Sequence, residues 1–251
     1  MDHCFFTPSY RNDLERLVIL RQSIKRFVKE SLIHYVVVPK EDFYVFKEKF
    51  SDDKLVIILK QNDFIKTQFY PSKLYSLVNK VLPNQSWRLN KIAGKPGWIQ
   101  QQIIKLSIPE IVKEDVAIIL DSNIFFIKPF SIFQILPQST GRVLFRSHPS
   151  CEAAMQREHI SKSREVLKIP SGESDFHYIS WPVVWYKDLI LQFQEYLSNT
   201  YNQHWQNVLH GAGIISEYNL YGIYVEEILR LKNLDIISEP LHVGIWDKER
   251  A

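Results

Sequence analysis

Cysteine is scarce in this chain. Cys4 and Cys151 are the whole complement of 251 residues. With no C-x-x-C pair, neither a disulfide framework nor a cysteine-based zinc or redox motif organises the fold. A reducing compartment is the expectation. Long apolar runs are missing too. No stretch approaches the length that crosses a bilayer, and Met1-Asp2-His3 leads straight into a strand-like run, so no leader segment is expected. Association with a membrane is therefore expected to be peripheral at most, at the inner face, for a cytoplasmic protein. Nor is there an excess of one charge. A formal net charge of +3 is too small to point to nucleic acid, although it suits anionic phosphates or a membrane surface. Glycine is sparse, and none follows the first strand-like run, where the chain reads Thr7-Pro8-Ser9-Tyr10-Arg11-Asn12.

What is present is the material of a folded α/β protein. Hydrophobic residues make up 45% of the chain and charged residues 24%, which allows a sizeable core and excludes general disorder. The length suits a single domain over 1–251. His3–Phe6 reads as a strand. Asn12 with Glu15 three residues on resembles a capping box, opening a helix that runs to about Glu30 on the apolar spacing of Leu14, Leu17, Val18, Ile24, Phe27 and Val28. His34–Val38 and Leu55–Leu59 read as strands, with a short helix over Glu41–Phe50 between them. This β-α-β-α-β order predicts a mainly parallel central sheet flanked by helices.

Residues 60–97 carry no clear period, and a loop of that length is usually functional. The helical period returns over Trp98–Ile111. Val116–Leu120 is a continuous apolar strand, followed by a second apolar stretch, Ile124–Ile127. Arg142–Phe145 reads as a strand and Ala153–Leu167 as a helix. His177–Trp185 reads as a strand interrupted by Pro182. Lys187–Leu197 and Ala212–Leu231 read as helices, and Asp235–Ile237 as a short strand.

Asp121-Ser122-Asn123 is the most informative site. A buried parallel strand delivers its C-terminal end to the ligand crevice of an open α/β sheet. Acidic groups there can hold a divalent cation and the ribose of a nucleotide, which helps a diphosphate depart. Mg²⁺ or Mn²⁺ takes oxygen ligands. The amide oxygen of Asn123 can ligate but brings no charge, so a weaker metal site is expected than with two carboxylates.

Thr7-Pro8-Ser9-Tyr10 with Asp13-Leu14, Val36-Val37-Val38-Pro39, Gly97-Trp98-Ile99-Gln100-Gln101-Gln102 with Lys105-Leu106, Ile119-Leu120-Asp121-Ser122-Asn123, Ser216-Glu217-Tyr218 and Tyr221-Gly222 occur in this order along most of the chain. Their ordered set resembles a bacterial family of GT-A-type glycosyltransferases from polysaccharide-synthesis loci. Asn123 departs from that pattern, which has an aspartate there. The resemblance implies a GT-A-like fold, with a nucleotide-sugar half over 1–123 and an acceptor half over 124–251. It also implies a hexosyl transfer of inverting type onto a glycan or lipid-linked acceptor.

In the donor site so implied, Thr7, Pro8 and Tyr10 line the nucleotide pocket, with Tyr10 stacking on the base. Gln101 and Lys105, four apart on one helix face, reach the donor sugar or diphosphate. Asp121 and Ser122 contact the donor. Asp121, Asn123 and His242 hold the divalent cation, and Glu217 is the general base that deprotonates the acceptor hydroxyl. Two alternatives stand beside this: a sugar nucleotidyltransferase, against which the missing glycine-rich loop after the first strand argues, and a degenerate, non-catalytic glycan- or nucleotide-binding protein, which Asn123 favours.

Overall fold

A computed structural model describes residues 1–67, 96–137, 141–146, 153–170, 176–179, 182–212 and 215–238. Strand β1 (His3–Pro8) leads through a 3-10 turn (Arg11–Asp13) to helix α1 (Leu14–Phe27). β2 (His34–Val38), α2 (Phe43–Lys49) and β3 (Val56–Lys60) follow. Next come α3 (Pro96–Leu106), α4 (Ile108–Ile111) and β4 (Val116–Ile119). The remainder comprises β5 (Arg142–Phe145), α5 (Ala153–Val166), β6 (Val183–Tyr186), α6 (Lys187–Tyr201), α7 (Trp205–Ala212), α8 (Glu217–Ile223) and β7 (Leu234–Ile237).

The main sheet has the order β3-β2-β1-β4-β6. Its first four strands are parallel, and β6 runs antiparallel to β4 with Ile119 opposite Val183. β5 and β7 form a separate parallel pair. Phe5, Phe6, Val36, Ile118 and Ile119 are fully or almost fully buried, as expected of strands covered on both faces. On α1, Leu17, Leu20 and Ile24 supply the buried stripe.

The sequence expectations for β1 to β4 hold within a residue or two at each end. Four others need correction. Asn12 caps nothing: it lies within the 3-10 turn, and α1 begins at Leu14 with Asp13 at its N-cap position and no side-chain cap bond. The helix expected over Trp98–Ile111 breaks at Ser107, before Pro109, into α3 and α4, because proline lacks the N–H that a continuous helix needs and favours the first turn of a new one. The helix expected over Ala212–Leu231 is two segments. α8 starts afresh at Glu217, with the Ser216 side chain accepting from the Asn219 N–H, and passes at Ile223 into a π-helical stretch, Tyr224–Leu229.

The fourth correction concerns the strand expected over His177–Trp185: it is realised as β6 (Val183–Tyr186), after Pro182, which lacks the N–H that a ladder needs. The apolar stretch Ile124–Ile127 carries no regular secondary structure. It descends beside α1. Ser122 Oγ donates to Asp13 Oδ2 at 3.3 Å, the Phe126 N–H donates to Ser23 Oγ at 3.0 Å, and the Phe130 N–H donates to the Phe27 carbonyl at 2.8 Å.

Candidate active site

The parallel strands share one C-terminal edge. From β1 the chain winds outward to β2 and β3, whereas β4 lies on the other side of β1. Loops leaving β1 and β4 therefore diverge, and an open α/β sheet offers its crevice at that switch point. Asp121 stands there, two residues past β4. The Leu120 N–H is held by the Phe6 carbonyl at 3.0 Å. The Ser122–Asp13 bond ties the β4 loop to the turn after β1.

Lys105, on the last turn of α3, reaches the same point. Its Nζ lies 2.9 Å from Asp121 Oδ1, 2.8 Å from Glu217 Oε1 and 2.7 Å from the Tyr218 hydroxyl. An ammonium has three N–H donors, and three acceptors meet it. Tyr218 OH is also 3.3 Å from Asp121 Oδ1. Burial opposes the charge on Lys105, but the carboxylates of Asp121 and Glu217 outweigh it and hold the ammonium well above the ordinary lysine range. Burial, reinforced by Asp121, pushes the Tyr218 phenol far up, so it remains neutral. From β6, Trp185 packs against Tyr218 and Tyr221, with ring centroids 5.8 and 4.7 Å away. The antiparallel fifth strand thus walls the cluster.

The two carboxylates differ in access. The Asp121 side chain is 24% exposed and that of Glu217 only 6%. The cluster carries one ammonium and two carboxylates, and Asp121 is the more accessible carboxylate. Lys105 is buried. Gln101 is half-buried.

Thr7 is fully buried, with Oγ1 2.8 Å from His34 Nε2. Its side chain therefore lies buried between β1 and β2. Burial drives the His34 imidazole down to about 3, so the ring is neutral. Pro8 ends β1 as a buried residue, and Tyr10, two residues further on, is 45% exposed. Ser122 is buried and Asn123 exposed. His242 lies outside the described residues, as do Cys151, Glu173 and Asp175.

Sequence reasoning gave no role to Tyr218, Asp13 or Gln102. All three stand in the motif set, Tyr218 beside Glu217, Asp13 beside Leu14 and Gln102 beside Gln101. Gln102 is 1% exposed, and among the described residues neither its amide nitrogen nor its carbonyl oxygen has a hydrogen-bond partner. An orphaned buried amide is costly unless a ligand or water meets it.

Among the described residues no group of three or more His, Cys, Asp or Glu is placed to hold a metal ion. Asp121 is a single carboxylate, and its Oδ1 already carries the Lys105 ammonium. Asn123 adds a neutral oxygen. This described donor set does not by itself fit Mg²⁺ or Mn²⁺, which draw on carboxylate charge.

Among solved structures, the bifunctional glycosyltransferase WbbM is similar over 94% of this chain at 10% identity and a TM-score of 0.50, the chain spanning 38% of that protein. Mouse xyloside xylosyltransferase 1 aligns over 94% of this chain and 85% of its own, at 12% identity and a TM-score of 0.49. The likeness is one of fold: a mainly parallel central sheet flanked by helices, as the resemblance to GT-A-type transferases implies. No curated protein sequence matches. By the match that extends over residues 3–242, the chain belongs to the family described as a family of unknown function (DUF6492).

Proposed function

We propose that the chain is a glycosyltransferase that takes a sugar from a nucleotide-sugar donor and passes it to a glycan or lipid-linked acceptor in cell-surface polysaccharide synthesis. One observation supports this: Asp121, part-exposed, stands two residues past β4 at the switch point of the sheet, held by a buried lysine and tied through Ser122 to the turn after β1. A nucleotide diphosphate fits such a crevice, with its base near the exposed Tyr10 ring and its sugar or ribose near Asp121.

In this scheme Lys105 is a positioning residue. Its N–H donors are taken by Asp121, Glu217 and Tyr218, so it fixes the Asp121 carboxylate rather than reaching for the diphosphate. Glu217 takes the part of counter-ion to Lys105. A general base must meet the acceptor hydroxyl within hydrogen-bond reach, and a carboxylate that is 5% exposed and bound to an ammonium is poorly placed to do so. The base of an inverting transfer is then sought in the acceptor half of the chain, with Glu173 and Asp175 the next candidates. No step is routed through a metal.

Nucleotide binding tests the proposal. In a thermal-shift panel of nucleoside diphosphates, with and without Mn²⁺, at least one should raise the melting temperature, because a ligand bound only by the folded state stabilises it. Asp121→Ala should lose that shift. The rival, a non-catalytic binding protein, is favoured by Asn123. It shares the binding result but lacks any donor turnover, including slow hydrolysis.

A further inference from the structure

Past Asp121-Ser122-Asn123 the chain descends beside α1 with alternating burial. Asn123, Phe125 and Ile127 face outward, while Ser122 is buried and Ile124 and Phe126 are half-buried. The inward side is anchored: the Phe126 N–H bonds Ser23 Oγ, and the Phe126 ring packs on Phe130 with centroids 5.0 Å apart. The outward side is apolar without cover. Phe125 is 53% and Ile127 73% exposed, and Ile19, one helical turn before Ser23 on α1, is 51% exposed.

Cations gather at the lower end of this strip. Lys128 follows Ile127 directly. The Lys29 N–H bonds the Phe130 carbonyl at 3.0 Å, and the Arg26 guanidinium lies over the Phe27 ring at 5.2 Å. Lys29, Arg26 and Lys128 are exposed, and none has a carboxylate partner among the described residues. The nearby acid, Glu30, is taken up by the Ser131 hydroxyl at 2.5 Å and the Ile132 N–H at 3.0 Å.

We infer that this strip is a docking surface for an anionic lipid membrane, with Phe125 and Ile127 entering the headgroup boundary and Arg26, Lys29 and Lys128 meeting lipid phosphates. Large apolar side chains flanked at one end by cations without a carboxylate partner among the described residues match the chemistry of an anionic interface. A surface for a second copy of this chain would instead want acidic groups to answer those three cations, and the strip presents none unengaged. Proximity adds function. Four residues separate Ile127 from Asn123, so the membrane contact sits within about 14 Å of the crevice mouth. Side chains that enter an interface reach about 5–10 Å deep. A lipid-linked acceptor held in such a membrane would present its polar head to Asp121. Membrane docking itself does not rest on the transferase proposal, since it needs no turnover.

Vesicle sedimentation of the full chain tests it. Phosphatidylcholine vesicles containing phosphatidylglycerol should bind the protein, pure phosphatidylcholine vesicles should bind it far less, and added salt should weaken the binding. The paired change Phe125→Ser with Ile127→Ser should lower the affinity at least about tenfold, and Lys128→Glu should lower it for anionic vesicles, both with unchanged melting temperature. Equal affinity of wild type and the paired variant for anionic vesicles overturns the inference. So does failure of wild type to bind, or a wild-type dimer by light scattering that the paired change dissociates.

Discussion

Lys105 Nζ lies 2.9 Å from Asp121 Oδ1, joining the last turn of α3 to the second residue past β4. Asp121 thereby has a fixed orientation before any ligand arrives. That matters because a site residue held by its own neighbours need not be ordered by the substrate. Glu217 completes the arrangement from α8, 2.8 Å from the same ammonium.

Removing the ammonium leaves two carboxylates facing one another in a largely buried place. Breaking one partner of a buried ion pair typically costs about 3–5 kcal/mol. Lys105→Met should therefore lower unfolding stability by about that amount in urea titrations. A loss under about 1 kcal/mol, typical of an exposed pair, would show that the cluster is more solvated than its geometry indicates.

The same cluster sets an alkaline limit. Against the opposing effect of burial, the carboxylates hold Lys105 above its ordinary value of 10.5. Its contribution is fully present below that unfolded value and is lost as pH rises through the folded one. Burial pushes the Tyr218 and Tyr221 phenols up as well, so stability falls in the same direction once pH passes the ordinary tyrosine value of 10.0. Urea midpoints should decline steeply above that pH, and less steeply in Lys105→Met. A profile that stays level through this range would contradict the assigned charges.

Glu217→Gln separates counter-ion from base. Loss of a general base costs about 100- to 10,000-fold in rate. As a counter-ion, Glu217 should tolerate glutamine with turnover within about tenfold of wild type and a lowered melting temperature. Turnover reduced by about a thousandfold, with donor affinity and stability intact, would return Glu217 to the chemistry.

Gly222 offers a packing test on the same helix. A Cβ there would lie 2.1 Å from Tyr178 Cγ, whereas at Gly97 it would meet nothing within 4 Å among the described residues. Overpacking typically costs about 1–3 kcal/mol. Gly222→Ala should lose at least that much in urea titrations, and Gly97→Ala should be neutral or stabilising. Equal effects would mean that Tyr178 moves aside freely.

The parallel core was legible because its strands are local, continuous apolar runs: Val36-Val37-Val38 and Val116-Ala117-Ile118-Ile119 announce burial without reference to anything distant. Asp121 was legible for the same reason, as the polar residue that ends such a run. Lys105 was seen only as one helix position beside Gln101. Its partner Glu217 is more than a hundred residues away, and helical period carries no information about which face meets a far segment. Thr7 looked like a pocket residue until His34, on the neighbouring strand, was seen to take its hydroxyl. The break before α8 escaped notice because apolar residues continue through it, while the Ser216 cap that starts the new helix is a single side-chain bond. Proline at 109 was visible, yet the apolar spacing on either side of it favoured one helix over two.

Donor turnover tests the central proposal most directly. Purified protein is incubated with a panel of nucleotide sugars, and released nucleoside diphosphate and monophosphate are quantified beside Asp121→Ala and Asn123→Asp. A glycosyltransferase should hydrolyse at least one donor slowly even without its acceptor. Asp121→Ala should abolish that release, and Asn123→Asp should preserve it or add a response to Mn²⁺. Pyrophosphate formed from a sugar phosphate and a nucleoside triphosphate, or donor release unchanged in a folded Asp121→Ala, would contradict it.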